Sequence, residues 1–309
     1  MAQFEKEQTD EGAFKRQADA FRDWVSDDEA AAHPVENSRY HLYVSLACPW
    51  AHRTLIVRKL LGLENAIGAT IVNPIRDGRG WCFEGGDFQD PINGFHFLQE
   101  AYVASHSDFD GRVTVPVLWD IKKRKIVNNS EDDICRMLSG VFRRFASSPY
   151  DFFPDQIATE QKALSEYIYE NINNGVYRAG FATSQKVYAS AAEQVFAALD
   201  KMDERLAKQR FLFGAQFVES DWRLFCTLIR FDAVYHGHFK CNVRRILDYP
   251  NLSGYLRDLY QWPGVRDTVN FDHIKSHYYY THDDINPTRI IPIGPDFSHL
   301  MTPSYREKL

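Results

Sequence analysis

The residues best suited to chemistry in this chain are Cys48-Pro49-Trp50-Ala51-His52-Arg53. They lie between an apolar run at 40–46 and a stretch in which Leu55, Ile56, Lys59 and Leu60 recur at helical spacing. The expected elements are a strand, a tight turn and a helix. Proline is tolerated in a helix's first turn because its missing N–H had no intrahelical partner, and a cysteine just before it faces the unpaired amides of that turn. Those amides and the macrodipole favour thiolate over thiol, so Cys48 is expected to be an acidic nucleophile at neutral pH. A lone cysteine is by default a packing residue, but the strand, turn, proline and helix around it reverse that expectation. The position three residues on is Ala51, which makes the site monothiol. A sulfur that cannot be resolved internally needs an external thiol to discharge it, and glutathione is the abundant cytosolic one. Cys82 would resolve it only if residues 73–113 folded back, and its setting in Trp81-Cys82-Phe83 speaks for packing instead.

Two further signals follow. Val115-Pro116 precedes an apolar strand, where a proline fits best at the first residue because it cannot donate to the ladder. In thioredoxin-like folds such a bond is cis and presents the preceding backbone to a peptide-like ligand, so Val115 is expected to pair with the cysteinyl part of glutathione. The alternative is an ordinary edge-strand proline. Ser130-Glu131 opens a helix containing Ile134, Met137 and Leu138. Free amides with a hydroxyl and a carboxylate suit the carboxylate and ammonium of a γ-glutamyl group, although the same residues also make a common cap.

The elements that must hold these residues divide the chain. Residues 1–37 are a polar extension, read either as a short amphipathic helix through Phe14, Phe21 and Trp24 or as a mobile arm. Residues 38–150 read as an α/β thioredoxin-like domain. Its strands are expected at 40–46, 67–72, 114–120 and 126–127, and it carries a long insertion at 73–113. The aromatics Trp81, Phe83, Phe88, Phe95 and Phe97 mark that insertion as a packed, functional loop. Residues 151–277 read as all-helical, with helices at 160–171, 190–206, 220–235 and 252–260. Residues 278–309 form a tail in which Pro287, Pro292, Pro295 and Pro303 rule out a helix.

Composition limits the function classes. The chain has 309 residues, 44% of them hydrophobic, which is enough to bury two domain cores. A net charge of −6 gives no field that would favour nucleic acid or an anionic membrane. No apolar run approaches the roughly 20 residues of a membrane span, and MAQFEKEQTDEGAFKRQ has no secretory core, so a cytoplasmic protein is expected. Five widely spaced cysteines without a C-x-x-C pair argue against a disulfide framework. His273 and His277 share a helix face and His282 lies near, but no acidic residue completes a familiar ligand pattern, so no metal is expected.

Taken in order, Cys-Pro-Trp-Ala-His-Arg, Val115-Pro116-Val117-Leu118-Trp119-Asp120, Asn128-Asn129-Ser130-Glu131, Asn174-Gly175-Val176-Tyr177-Arg178-Ala179-Gly180-Phe181-Ala182, and His277-Tyr278-Tyr279 with Ile285-Asn286-Pro287 resemble the glutathionyl-hydroquinone reductases, the xi class of glutathione transferases. The resemblance covers nearly the whole chain, and the fourth segment and the tail are what make it specific. It implies a glutathione transferase fold and a homodimer. The implied reaction is glutathione-dependent reduction of glutathionyl-hydroquinones through a mixed disulfide on Cys48. Trp81, Arg112, Val115, Pro116, Ser130 and Glu131 would hold glutathione, and Tyr177, Tyr278 and Tyr279 would line the aromatic pocket and hydrogen-bond or relay a proton to the leaving ring. Asp221, after Ser220, fits the helix cap of transferase helical domains. Two other readings stay open: an omega-like thioltransferase or dehydroascorbate reductase on the same cysteine, and a non-catalytic glutathione- or ligand-binding module.

Overall fold

The computed structural model describes residues 7–309, and the part of the N-terminal extension before residue 7 lies outside them. The chain divides into two compact units. One is Gln17–Tyr150, and the other takes the described residues up to Arg16 together with Asp151–Leu309.

The first unit is built on a four-stranded sheet of order β2-β1-β3-β4. β1 (Tyr40–Val44) pairs in parallel with β2 (Ile67–Ile71) and antiparallel with β3 (Val117–Asp120), which pairs antiparallel with β4 (Lys125–Asn128). Every residue of β1 is buried, as expected for a central strand covered on both faces. The parallel β1–β2 pair needs a crossover, and α1 (Pro49–Leu61) supplies it. Gly62 ends α1 in the left-handed conformation, at φ 67°, where its N–H reaches the last carbonyls. α3 (Glu131–Ser139) packs beside α1 and buries Ile134, Met137 and Leu138. Asp120, at the end of β3, is fully buried and accepts a two-pronged bond from Arg39 at 2.7 and 3.0 Å and another from His33 at 2.9 Å.

The insertion at 73–113 is packed, with Trp81 and Phe83 buried. It also holds a short helix, α2 (Gln99–Ser105), that no periodicity in the sequence announces, because only Ala101 and Tyr102 face inward. Asp90 organises the segment before it, accepting the Tyr43 hydroxyl at 3.0 Å and the backbone N–H groups of Ile92, Asn93 and Phe95.

The amphipathic helix expected through Phe14, Phe21 and Trp24 is overturned. No helix forms there, and the extended chain finds partners elsewhere for its backbone. Asp23 N–H donates to the Val127 carbonyl at 3.0 Å, Asn129 N–H donates to the Phe21 carbonyl at 3.1 Å, and Phe21 N–H donates to Asn129 Oδ1 at 2.8 Å. The segment thus covers the outer edge of β4. Phe21 packs on Tyr102 and Phe109, whereas Phe14, in the second unit, packs on Tyr177 and Phe181, and Trp24 is 47% exposed.

The second unit is helical. It comprises α4 (Ala158–Ile168), α5 (Gly175–Gly180), α6 (Gln185–Leu206), α7 (Glu219–Arg230), α8 (Leu252–Tyr260) and α9 (Phe271–Ser276). α4, α7 and α9 each run on into a wider π turn, at Tyr169–Asn173, Phe231–Tyr235 and His277–Thr281. The tail is tied down by Arg306, whose guanidinium donates to the Leu206 and Gln209 carbonyls at the end of α6. Among the described residues no helix is long and apolar enough to cross a membrane.

Asp221 holds the start of α7. It accepts the Val218 N–H at 2.8 Å, the Leu212 N–H at 2.9 Å and the Tyr255 hydroxyl at 2.8 Å. Burial pushes its carboxyl up to about 6, although these three bonds pull the other way. Asp221→Ala strands two buried N–H groups and a phenol, so it is expected to cost about 3 kcal/mol of stability. Urea denaturation followed by far-UV circular dichroism measures this, and an unmoved midpoint would remove Asp221 from its capping role.

Candidate active site

Cys48 is the N-cap of α1, in extended conformation with Pro49 directly after it, so the first-turn amides of α1 start beside the sulfur. The thiol is half-buried, and its Sγ lies 3.5 Å from the Val115 carbonyl oxygen. The Val115-Pro116 bond is cis, as expected, and both residues are buried at the entry to β3. The cysteine motif and the proline motif, 67 residues apart, are therefore brought into contact.

α3 adds the third motif. Ser130 is its N-cap, but the hydroxyl makes no bond back to the helix's first-turn amides. It lies instead within hydrogen-bonding reach of Asp19 from the extension. Burial holds the Asp19 carboxyl above its usual range, with Arg22 and Ser130 pulling it down. Arg22 in turn makes a two-pronged pair with Asp133. Glu131 is half-buried, and Arg53 of α1 reaches Glu131 Oε1 at 3.2 Å and Asp132 Oδ1 at 2.5 Å. Burial pushes the Glu131 carboxyl up to about 7, Asp132 adds to this, and Arg53 opposes it. Arg53 thus ties α1 to α3, and His52 is buried. Asp19 and Arg22 escape a reading of the sequence because nothing local marks their partners, more than 100 residues away.

The remaining residues expected to touch glutathione are also in this unit. Trp81 is buried in the insertion, its carbonyl accepts the Leu98 N–H at 2.9 Å, and the Arg76 guanidinium lies 5.7 Å from its ring centre. Arg112 is half-buried three residues before Val115. Of the other cysteines, Cys135, Cys226 and Cys241 are buried, and burial pushes the Cys241 thiol up to about 12. Cys82 is half-buried in a bridge with Phe97. Among the described residues no group of three or more His, Cys, Asp and Glu is arranged to hold a metal ion.

The expected aromatic residues lie in the second unit. The Tyr177 hydroxyl hydrogen-bonds that of Tyr278, and Tyr278 has a second partner in the Tyr235 hydroxyl at 3.0 Å. Tyr235 is a residue the sequence reading misses. Burial raises Tyr235 and Tyr278 well above an ordinary phenol. Tyr279 stands apart, its hydroxyl directed at the Ala233 carbonyl at 3.5 Å and its ring against His238. The Arg16 guanidinium lies 4.9 Å from the Tyr177 ring centre and donates to Asn174 Oδ1 at 3.2 Å.

A thioredoxin-like sheet with a cysteine at a helix N-terminus and a cis-proline, followed in the chain by an all-helical unit, is the architecture of a glutathione transferase. The profile for "Glutathione S-transferase, N-terminal domain" matches residues 47–140, and that for the C-terminal domain matches 185–258. Glutathionyl-hydroquinone reductase YqjG of Escherichia coli is 48% identical over 92% of this chain and 89% of its own length. Glutathionyl-hydroquinone reductase PcpF of Sphingobium chlorophenolicum is 44% identical over 92% and 90%. The glutathione-bound structure of YqjG aligns with a TM-score of 0.89 at 47% identity, covering 93% of this chain and 96% of that one. The chain belongs to the xi class of the glutathione transferases, the glutathionyl-hydroquinone reductases.

Proposed function

We propose that this enzyme reduces glutathionyl-hydroquinones to hydroquinones at the expense of glutathione. The observation that carries the reading is the half-buried monothiol Cys48 at the α1 N-terminus, in contact with the carbonyl of Val115. In the first step the Cys48 thiolate attacks the glutathionyl sulfur. The bond from sulfur to ring carbon breaks, its electron pair stays with the ring, and a proton adds at that carbon. The ring is reduced and the sulfurs are oxidised to a mixed disulfide. A second glutathione thiolate then attacks that disulfide, returns Cys48 as thiolate and leaves as glutathione disulfide.

Glutathione is the co-substrate, and the residues at hand fit it. The Val115 backbone suits its cysteinyl amide. The first-turn amides of α3 suit the γ-glutamyl carboxylate, and Glu131 suits its ammonium. Trp81 and Arg112 complete the set in this reading. Tyr177 and Tyr278 supply phenolic hydroxyls to the ring that leaves, and Tyr279 lines the aromatic pocket. The same reading makes the protein a cytoplasmic homodimer, as its class implies, and a monomer in light scattering would remove the second part.

Purified protein given glutathionyl-menadiol and glutathione is expected to release menadiol and glutathione disulfide one to one. Disulfide exchange with no menadiol released would favour the omega-like thioltransferase instead. Glu131 gives the binding step a pH dependence. Its folded-state pKa is raised, so the carboxylate that pairs with an ammonium fills in only as pH rises through about 7. Affinity for S-methylglutathione, which has no thiol to titrate, should rise roughly tenfold from about pH 6 to about pH 8 and then level off. Isothermal titration calorimetry measures it, and Glu131→Gln should flatten the profile. A flat wild-type profile would take Glu131 off the ammonium.

A further inference from the structure

The ladder between β3 and β4 ends at the pair Leu118 and Asn128. Beyond that end lie the two segments that hold glutathione in the reading above, Val115-Pro116 before β3 and Ser130-Glu131 after β4. Pro116 has no N–H to donate, so the ladder cannot continue through it. A buried phenol spans the gap instead. Tyr102, from α2 of the insertion, donates its hydroxyl proton to the Thr114 carbonyl at 2.9 Å. The same oxygen accepts the Thr114 N–H at 3.1 Å and the Asn129 side-chain amide at 3.3 Å. Thr114 belongs to no strand, and one hydroxyl thus satisfies both of its backbone polar groups. Burial pushes the Tyr102 phenol up to about 12, so the proton stays in place at neutral pH. Thr114 Oγ1 lies 3.2 Å from the phenol oxygen and accepts from Asn129 Nδ2 at 3.2 Å, while Asn129 Oδ1 accepts the Phe21 N–H at 2.8 Å. Thr114 immediately precedes Val115, and Asn129 immediately precedes Ser130, the N-cap of α3.

We propose that Tyr102 is a positioning residue for glutathione: its hydroxyl fixes the distance between the Val115 backbone, which takes the cysteinyl amide, and the start of α3, which takes the γ-glutamyl end. The inference rests on the glutathione site proposed above and gives the insertion that carries α2 a task there. A tripeptide that touches both segments at once binds well when they are already held at its length; otherwise binding must also order them. α2 is seated for this. Ser105 Oγ accepts the Ile126 N–H of β4 at 2.7 Å, and the Tyr102 ring packs on Phe21 and Phe109. Tyr102→Phe keeps those contacts and removes only the hydroxyl. Thr114 then loses the partner of its N–H and its carbonyl, and the two glutathione-holding segments lose their link through the phenol.

The test is isothermal titration calorimetry with S-methylglutathione at about pH 8, on wild type, Tyr102→Phe, Glu131→Gln and the double variant. Tyr102→Phe is expected to weaken binding about tenfold. Iodoacetamide should alkylate Cys48 in it at the wild-type rate, because Cys48 stands on α1, which the hydroxyl does not touch. Tyr102 acts by holding the γ-glutamyl subsite in place, so the double variant should lose clearly less than the product of the two single losses. Wild-type affinity in Tyr102→Phe, losses that multiply in the double variant, or a parallel loss of alkylation would each overturn the proposal. Should Tyr102→Phe fail to fold, Asn129→Ala breaks the link from its other end and must show the same loss and the same non-additivity with Glu131→Gln. All of these are binding measurements. A wild-type protein that releases no menadiol would sink the reductase reading itself, an outcome separate from any of them.

Discussion

Cys48→Ser is expected to lower turnover of glutathionyl-menadiol by about 10⁴ or more, because the covalent intermediate of the proposed reaction is a disulfide and oxygen cannot form one. In the proposed reaction the helix N-terminus supplies the physical reason for this thiol, rather than another in the chain, to be the nucleophile. Cys48 precedes Pro49 at the start of α1, where unpaired amides and the macrodipole favour the thiolate. Cys135, Cys226 and Cys241 are buried and none stands at a helix N-cap, and burial raises the Cys241 thiol instead. Iodoacetamide alkylation followed against pH should therefore titrate well below the free-thiol value of about 8.5. Mass spectrometry after incubation with a glutathionyl substrate should find one glutathione on Cys48 and none on Cys82, Cys135, Cys226 or Cys241. Alkylation that rises only above about pH 8.5, or an adduct on Cys82, would reassign the nucleophile.

The parts of the site that a sequence reading reaches are those carried by neighbouring residues. Cys48-Pro49, Val115-Pro116 and Ser130-Glu131 each state a backbone event in two residues: a helix start, a strand entry and a second helix start. Asp221 is legible for the same reason, as a cap one residue after Ser220. Pairings that depend on tertiary register are not legible. Arg22 finds Asp133 and Arg53 finds Glu131 only because the sheet and its two helices bring distant segments together. The extension reads as amphipathic because Phe14, Phe21 and Trp24 are spaced like a helix face. In the fold, however, Phe14 is buried in one unit and Phe21 half-buried in the other, and the backbone between β4 and residues 21–23 is paired. Tyr235 sits in a run that reads as plain helix core. Its partner Tyr278 is 43 residues away, and the π turn that holds each of them leaves no compositional trace.

The largest separation between the reductase and its thioltransferase rival is expected from Phe substitution in the phenol cluster. Tyr177→Phe and Tyr278→Phe keep the rings, so the packing of Tyr177 against Phe14, Phe181 and Phe239 and of Tyr278 against Tyr235 survives. What is lost is the hydroxyl that hydrogen-bonds or protonates the leaving ring, and general acid groups of this kind contribute about 10² to 10⁴ in rate. Tyr279→Phe removes only a long contact to the Ala233 carbonyl and should change turnover little. The comparison substrate is a simple glutathione mixed disulfide. Its leaving group is a thiolate, which departs without a proton on carbon, so a phenol has little to offer it. Loss on glutathionyl-menadiol with retention on the mixed disulfide is the pattern that belongs to a hydroquinone-releasing enzyme. Wild-type rates on glutathionyl-menadiol in both Tyr177→Phe and Tyr278→Phe would instead leave Cys48 as the working group of a thioltransferase, with the tyrosines as packing.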